Sequence, residues 1–343
     1  MNVVKLRIVM ETNTLKQIEN PPKLMNAIVA GFNLIANHII LILFPVVLDI
    51  FIWLGPRLRL QTVLEPMISR ANQTLNTYNN AEITQLLESA QEAWSILISR
   101  INLTNSISTF PLGIPSLLAG TDLNGNPIGT SISYEIPTFG LAVIIFILLG
   151  GIGLLIGSLY FSAIAKTVRT EQEKFSFSVV GSQLISIFGL LLMIIGILII
   201  VVIPALMIVS VFALFSPAIA QIVLLIFSFI FIWLLIPLVF TPHGIFLNQL
   251  NVVKSIITSF RLIRLLLPGT GLFILLAMLI AQGLDILWHS APSSSWFTLI
   301  GIIGHAFIYT SLITASFIYY RQGLEWMEKN IQRLTQGLSK TIV

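Results

Sequence analysis

Long unbroken apolar runs, rather than an alternation of two or of three to four, set the pattern of this chain. Crossing about 30 Å of hydrocarbon takes roughly 20 apolar residues as a helix. Residues 27–54, 138–165, 267–288 and 295–320 each supply one such run. Between Lys174 and Lys254 there is no Asp, Glu, Lys or Arg. The apolar part of that interval, 179–240, would extend roughly 93 Å as one helix, so it must hold two or three crossings. Ser216-Pro217 is the expected break, because proline cannot continue the hydrogen-bond ladder and restrains the residue before it. The 27–54 run is longer than one crossing needs and contains Pro45. A tilt, a kink near that proline or an excursion into the headgroups is expected there.

Charge chooses between two and three central crossings. With two, the chain has six spans, and every one of its eighteen Lys and Arg except Arg57, Arg59, Arg70 and Arg100 falls on one side. Three would throw the basic clusters from Lys254 onward to the opposite face. The positive-inside bias therefore predicts six spans with both termini cytoplasmic. Residues 1–26 are mixed and polar and precede a run too long for a signal peptide, so the first span is expected to stay in the mature chain. The resulting division is a cytoplasmic segment 1–26, a first span 27–54, an extracytoplasmic part 55–137, five further spans within 138–320 and an amphipathic cytoplasmic end 321–343.

Composition agrees with this pattern and closes other routes. Hydrophobic residues make up 56% of the chain and charged ones 9%, with a mean hydropathy of +0.96. Soluble domains carry about 25% charged residues, so a chain this poor in charge could not cover its own surface in water. No cysteine is present, which removes disulfide frameworks, thiolate metal sites and cysteine nucleophiles together. The fold class expected is an all-α integral membrane protein.

The large polar interval 55–137 has two characters. Leu60, Leu64, Met67, Ile68, Ala71 and Leu75 recur at helical steps. Asn79 with Glu82 resembles a capping box ahead of a second apolar face made by Ile83, Leu86, Leu87, Ala90, Trp94, Leu97, Ile98 and Ile101. Two such stripes are expected to form a hairpin, lie on the membrane, or both. From 110 to 137 glycine and proline are too dense for regular helix, while Ile114, Leu117 and Leu118 predict docking against the bundle. Asp122, Asn124 and Asn126 alternate like the start of a calcium loop, but Pro127 stands where that loop needs glycine, and the calcium reading is rejected. Asn72 and Asn102 open formal glycosylation sequons on expected helix faces.

Candidate chemistry is sparse. Gly151, Gly153 and Gly157 imitate a dinucleotide fingerprint, but no strand precedes them, and small residues that let two membrane helices approach are the better account. No Walker lysine, paired-histidine zinc motif or nucleophile elbow occurs. Four ionisable side chains fall in or at the ends of spans: His38, Asp49, Asp285 and His305. Such groups usually face a bundle interior or water. They are read either as interhelical hydrogen bonds and interfacial ion pairs, with Arg57, Arg59 and His289 as available partners, or as a proton or cation path. His38 and Asp49 would share one helical face if Pro45 did not intervene. Haem ligation by His38 and His305 lacks any accompanying signature, so no cofactor is expected.

Residues 244–264 carry the clearest pattern. Asn248, Asn251, Lys254, Ser255, Thr258 and Arg261 form a polar stripe opposite Ile245, Phe246, Leu250, Val253, Ile257 and Phe260. This predicts a basic amphipathic helix along the cytoplasmic interface, with Lys254, Arg261 and Arg264 reaching anionic lipid headgroups at about 1 kcal/mol each. The run Phe240-Thr-Pro-His-Gly-Ile-Phe-Leu-Asn-Gln-Leu-Asn-Val-Val-Lys-Ser-Ile-Ile-Thr-Ser-Phe-Arg-Leu-Ile-Arg264, followed by Gly-Leu-Phe-Ile-Leu-Leu at 271–276, resembles the repeated element of bacterial multi-pass families such as the membrane domain attached to glycerophosphodiester phosphodiesterases. The Pro-Pro-Lys-Leu at 21–24, Phe44-Pro45 through Asp49 and Trp53-Leu-Gly-Pro-Arg57 resemble uncharacterised bacterial membrane proteins. These resemblances imply a helical bundle whose interfacial helix re-enters the membrane, and no catalytic residue. The expected function is non-enzymatic, in envelope organisation, lipid association or a membrane complex. The alternative is a small-solute or ion transporter component using Asp49 and Asp285. The expected partners are the bilayer and anionic lipid, not nucleic acid. A homo-oligomer or other membrane partners are left open.

Overall fold

The apolar runs form helices, because in hydrocarbon a helix satisfies every backbone group within its own segment. The computed structural model describes residues 20–76, 93–98, 100–108, 112–121, 125–169 and 177–341. Asn79, Glu82, Asp122 and Asn124 lie outside the described residues, as does most of the second expected outer helix. Of that helix, 93–98 is helical, with Ile98 buried and Trp94 and Leu97 exposed. Among the described residues five helices are long and apolar enough to cross a membrane, or six when a bent pair near the start counts as one crossing. The protein is an all-α integral membrane protein.

The bent pair is α1 (Leu24–Asn37) and α2 (Leu43–Leu54), joined by a 3-10 turn at Ile39–Ile42 and inclined by 93°. The break falls at His38, not at Pro45. Pro45 sits in the first turn of α2, where its missing N–H has no helical partner to lose. At the break, the His38 backbone N–H bonds the Leu34 and Ile35 carbonyls, and ring Nδ1 lies 3.0 Å from the Leu34 carbonyl. His38 is exposed and Asp49 buried, so the two do not share a helical face.

Residues 61–76 form α3 (Gln61–Asn76), and the later spans begin with α4 (Phe139–Val168). Next come α5 (Phe177–Ile197), a π-turn (Leu198–Val202) and α6 (Ile203–Phe215), which run together as one span. Ser216 is extended and α7 (Pro217–Leu235) starts on the proline, so the hairpin turns where expected. Small Ala205 and Ala220 are the buried members of α6 and α7, whose other side chains face outward as lipid-exposed surface does. A 3-10 turn (Ile236–Leu238) leads to α8 (Thr241–Asn248), α9 (Val252–Trp288) and α10 (Thr298–Thr341).

α1 packs along α10. Gly31 meets Ser311 and Ala315, Phe32 meets the Phe307 ring, and Trp53 Nε1 donates 2.7 Å to the Ser293 carbonyl just before α10. The bent pair thus follows α10 back toward its start. The buried centre is aromatic. Tyr160 and Phe161 of α4, Phe246 of α8 and Phe317 of α10 sit in ring contact, and Phe273 of α9 stacks on Tyr319 at 4.7 Å.

The 55–137 part adds a short parallel pair, β1 (Arg57–Arg59) and β2 (Ser133–Glu135), which the helical periodicity did not predict. Asn102 holds β1 in place, its Oδ1 accepting the N–H of Leu58 at 2.9 Å and of Thr104 at 3.1 Å. Leu112, Ile114, Leu117 and Leu118 are all buried. Gly157 makes the docking possible, since a Cβ there would lie 2.6 Å from the Leu112 carbonyl oxygen. The close approach that its small size permits is therefore to this loop, not to another membrane helix.

Candidate functional site

One polar cluster starts from Asp49, which is fully buried on α2. Its Oδ1 accepts the Ser116 hydroxyl and the Leu118 N–H (3.2 Å), and its Oδ2 accepts the Leu117 N–H (2.9 Å). Ser116 Oγ in turn accepts the Ala119 N–H at 2.9 Å. A buried carboxylate is tolerated when hydrogen bonds satisfy it, and here they fasten one loop to one helix. Among the described residues Arg57 and Arg59 are not its partners.

Asp285 makes a second knot. His305 Nδ1 lies 2.8 Å from Asp285 Oδ1, Tyr309 donates to Oδ2 at 3.4 Å, and the His305 and Tyr309 rings stack at 4.0 Å. The second ring nitrogen of His305, Nε2, points away from this pair. It is buried without a hydrogen-bond partner among the described residues. His289 ties this knot to the first, with Nδ1 2.9 Å from the Asp285 backbone carbonyl and Nε2 3.0 Å from the Leu117 carbonyl. The structure thus groups Asp49, Asp285 and His305 at one end of the bundle and leaves His38 at the α1 break.

At the other end, α8 is almost wholly buried. His243, not singled out by the sequence, lies between Phe240 and Phe317, and its Nε2 sits 2.7 Å from Ser316 Oγ. The Ser316 hydroxyl in turn donates to the Ile313 carbonyl at 2.6 Å. Arg169 donates to the Phe246 carbonyl and Arg321 to the Val168 carbonyl. Each cation thereby satisfies a carbonyl near a helix C-terminus, where the dipole also favours positive charge.

The expected 244–264 helix is two pieces. Gln249 takes a left-handed conformation at φ 52°, and Asn251 restarts the chain as α9 with its Oδ1 on the Lys254 N–H at 3.0 Å. Ile245 and Phe246 face the core and not the interface. Ser255, placed in the expected polar stripe, is buried and donates to the Thr241 carbonyl at 2.6 Å. One half of α9 is therefore sealed by Ser255, Ser259, Leu262 and Ile263, and the other exposes Val253, Lys254, Ile257, Phe260, Arg261 and Arg264.

Among the described residues no group of three or more His, Asp or Glu side chains is arranged to hold a metal ion. Searches against protein-family models, curated proteins and solved structures give no match to the chain.

Proposed function

We propose that this is a non-enzymatic multi-pass protein of a bacterial-type plasma membrane that associates with anionic lipid, with both termini cytoplasmic, and that organises the envelope or a membrane complex. The observation that carries this reading is the exposed half of α9, where Lys254, Arg261 and Arg264 alternate with Val253, Ile257 and Phe260. Cations beside large apolar side chains suit the headgroup layer, where stems and rings reach hydrocarbon while charges meet phosphate. The saturated carboxylate of Asp49 supports a structural over a transport role for that residue.

Two measurements test the reading. In nanodiscs, replacing a neutral with an anionic phospholipid is expected to raise the melting temperature, and salt is expected to reduce the gain. Equal stability in both lipids would overturn the lipid part. For topology, a single cysteine at Arg70 is expected to react with an impermeant thiol reagent in intact cells, and one at Lys254 only after permeabilisation. Reaction at position 254 in intact cells would overturn the orientation.

A transporter component is the second reading, favoured by the unpartnered Nε2 of His305 beside Asp285. It requires proteoliposome ion or proton flux well above that of protein-free vesicles and abolished by Asp285→Asn in a folded protein. On the structural reading the two preparations leak equally.

A further inference from the structure

A crevice of about 210 Å³ opens between the end of α7 and the first part of α9. Trp233 and Pro237 form one wall, and Phe260, Ile263 and Leu267 form the other, with Arg264 as the charged lining residue. Two local irregularities create it. Pro237 lies in the 3-10 turn that follows α7, and Leu266 leaves helical geometry (φ −113°, ψ 20°) two residues before Pro268. Between them the Ser259 hydroxyl donates to the Pro237 carbonyl and pins the two segments together. Arg264 is exposed and makes no hydrogen bond or ion pair among the described residues. Trp233 is 55% exposed, and tryptophan on a lipid-facing surface concentrates at the headgroup level.

We propose that this crevice binds a single anionic phospholipid of the cytoplasmic leaflet, its phosphate on Arg264 and the upper part of one acyl chain against Trp233, Phe260 and Leu267. The proposal rests on the lipid-association reading and names the place and chemistry of one specific contact within it. A guanidinium presents a planar fork of donors that matches phosphate oxygens in pairs. Beside apolar walls that pair loses less to water than it would on an open surface. The walls select a phosphate that carries hydrocarbon, because a free phosphate leaves them in contact with water. Arg261, three residues away on the same exposed half, selects further. The ammonium of a zwitterionic headgroup is repelled by a second cation there, whereas an anionic headgroup carries no cation to be repelled. Complete ligand pockets run from about 300 to 1,000 Å³, so the crevice takes one segment of the lipid and leaves the remainder in the bilayer.

The test is retention of lipid by the full chain. Protein is reconstituted in an equimolar mixture of phosphatidylglycerol and phosphatidylcholine, extracted in mild detergent, and its bound lipid is quantified by mass spectrometry. Wild type is expected to retain phosphatidylglycerol in preference to phosphatidylcholine. Arg264→Gln should lower that preference about tenfold. Trp233→Ala should lower total retention, and Lys166→Gln, an exposed cation on α4 that does not line the crevice, should change neither. Inorganic phosphate and glycerol 3-phosphate at millimolar concentration should not displace the lipid. Absence of any preference in wild type would overturn the lipid-association reading itself. A wild-type preference unchanged in Arg264→Gln, or lowered equally by Lys166→Gln, would overturn the crevice alone and leave general attraction to the anionic leaflet. Displacement by inorganic phosphate would make it a phosphate site and overturn the phospholipid assignment. Melting temperature and elution profile confirm that each variant is folded, and Arg264→Lys, which keeps the charge without the fork, should recover only part of the preference.

Discussion

Asp49→Leu is expected to destabilise the protein by about 3–5 kcal/mol, because each buried donor left without an acceptor costs about 1–3 kcal/mol. Three donors converge on this carboxylate: the Ser116 hydroxyl and the N–H groups of Leu117 and Leu118. Leucine fills the volume but accepts nothing. The loop can relieve the loss by lifting away and hydrating, which caps the penalty and exposes Leu117 and Leu118. Asp49→Asn keeps one acceptor oxygen and turns an amide toward a donor, for a loss of about 1–3 kcal/mol. Ser116→Ala removes one neutral partner and costs about 1 kcal/mol. Thermal unfolding in one detergent should rank the losses as leucine, asparagine, then the serine variant. Maleimide reactivity of a cysteine at Leu117, buried in the native protein, should rise in the same order. A leucine variant as stable as wild type, with position 117 still protected, would show that the carboxylate does not hold the loop.

The parts of this architecture that were legible in the sequence are those that one local rule dictates. Uninterrupted apolar runs have no alternative to helix in a bilayer, and Ser216-Pro217 stands near the middle of a run too long for one crossing, where a break is needed. The bend at His38 was not legible, because nothing at residues 37–42 forbids a helix; the turn comes with packing against α10, and Pro45 drew attention to the wrong residue. Ser255 and Ser259 look like surface positions until carbonyls of Thr241 and Pro237 are placed beside them. A serine hydroxyl is cheap to bury once it has a partner, and periodicity does not reveal partners. The same limit applies to the site. For Asp49 the nearby Arg57 and Arg59 were the partners that the sequence offered, but the hydroxyl that holds it stands 67 residues away in an irregular loop. For His243 the only signal was its place in a Pro-His-Gly triplet flanked by aromatic and aliphatic residues, which is also what a core histidine looks like. Gly157 was expected to let another membrane helix approach, and the chain that comes close is the loop at Leu112 instead, a neighbour that local sequence does not reveal.

Gly31→Ala should separate α1 from α10 and cost about 1–3 kcal/mol, a large effect for one methyl group. A Cβ at Gly31 would lie 2.6 Å from the Ser311 carbonyl oxygen and 2.7 Å from both the backbone nitrogen and the Cβ of Ala315. Two of these atoms are backbone inside a helix, so no rotamer change relieves the contact and the helices must move apart. Ala27, Ile35 and Ala315, all fully buried, would then lose packing together, and in lipid that packing is much of what holds helices to one another. The fourteen residues of α1 rise about 21 Å, well short of the hydrocarbon thickness. Its place in the bilayer therefore depends on α10 and on the turn that follows it. Gly271 supplies the control, since a Cβ there meets nothing within 4 Å. Alanine at that position should be neutral or stabilising by up to about 1 kcal/mol through helix propensity. Melting temperatures of the two variants in one detergent are expected to move in opposite directions, or only the Gly31 variant to fall. A Gly31→Ala protein as stable as Gly271→Ala would mean that α1 does not lie on α10 at this distance, and the bent pair of α1 and α2 would lose its principal contact.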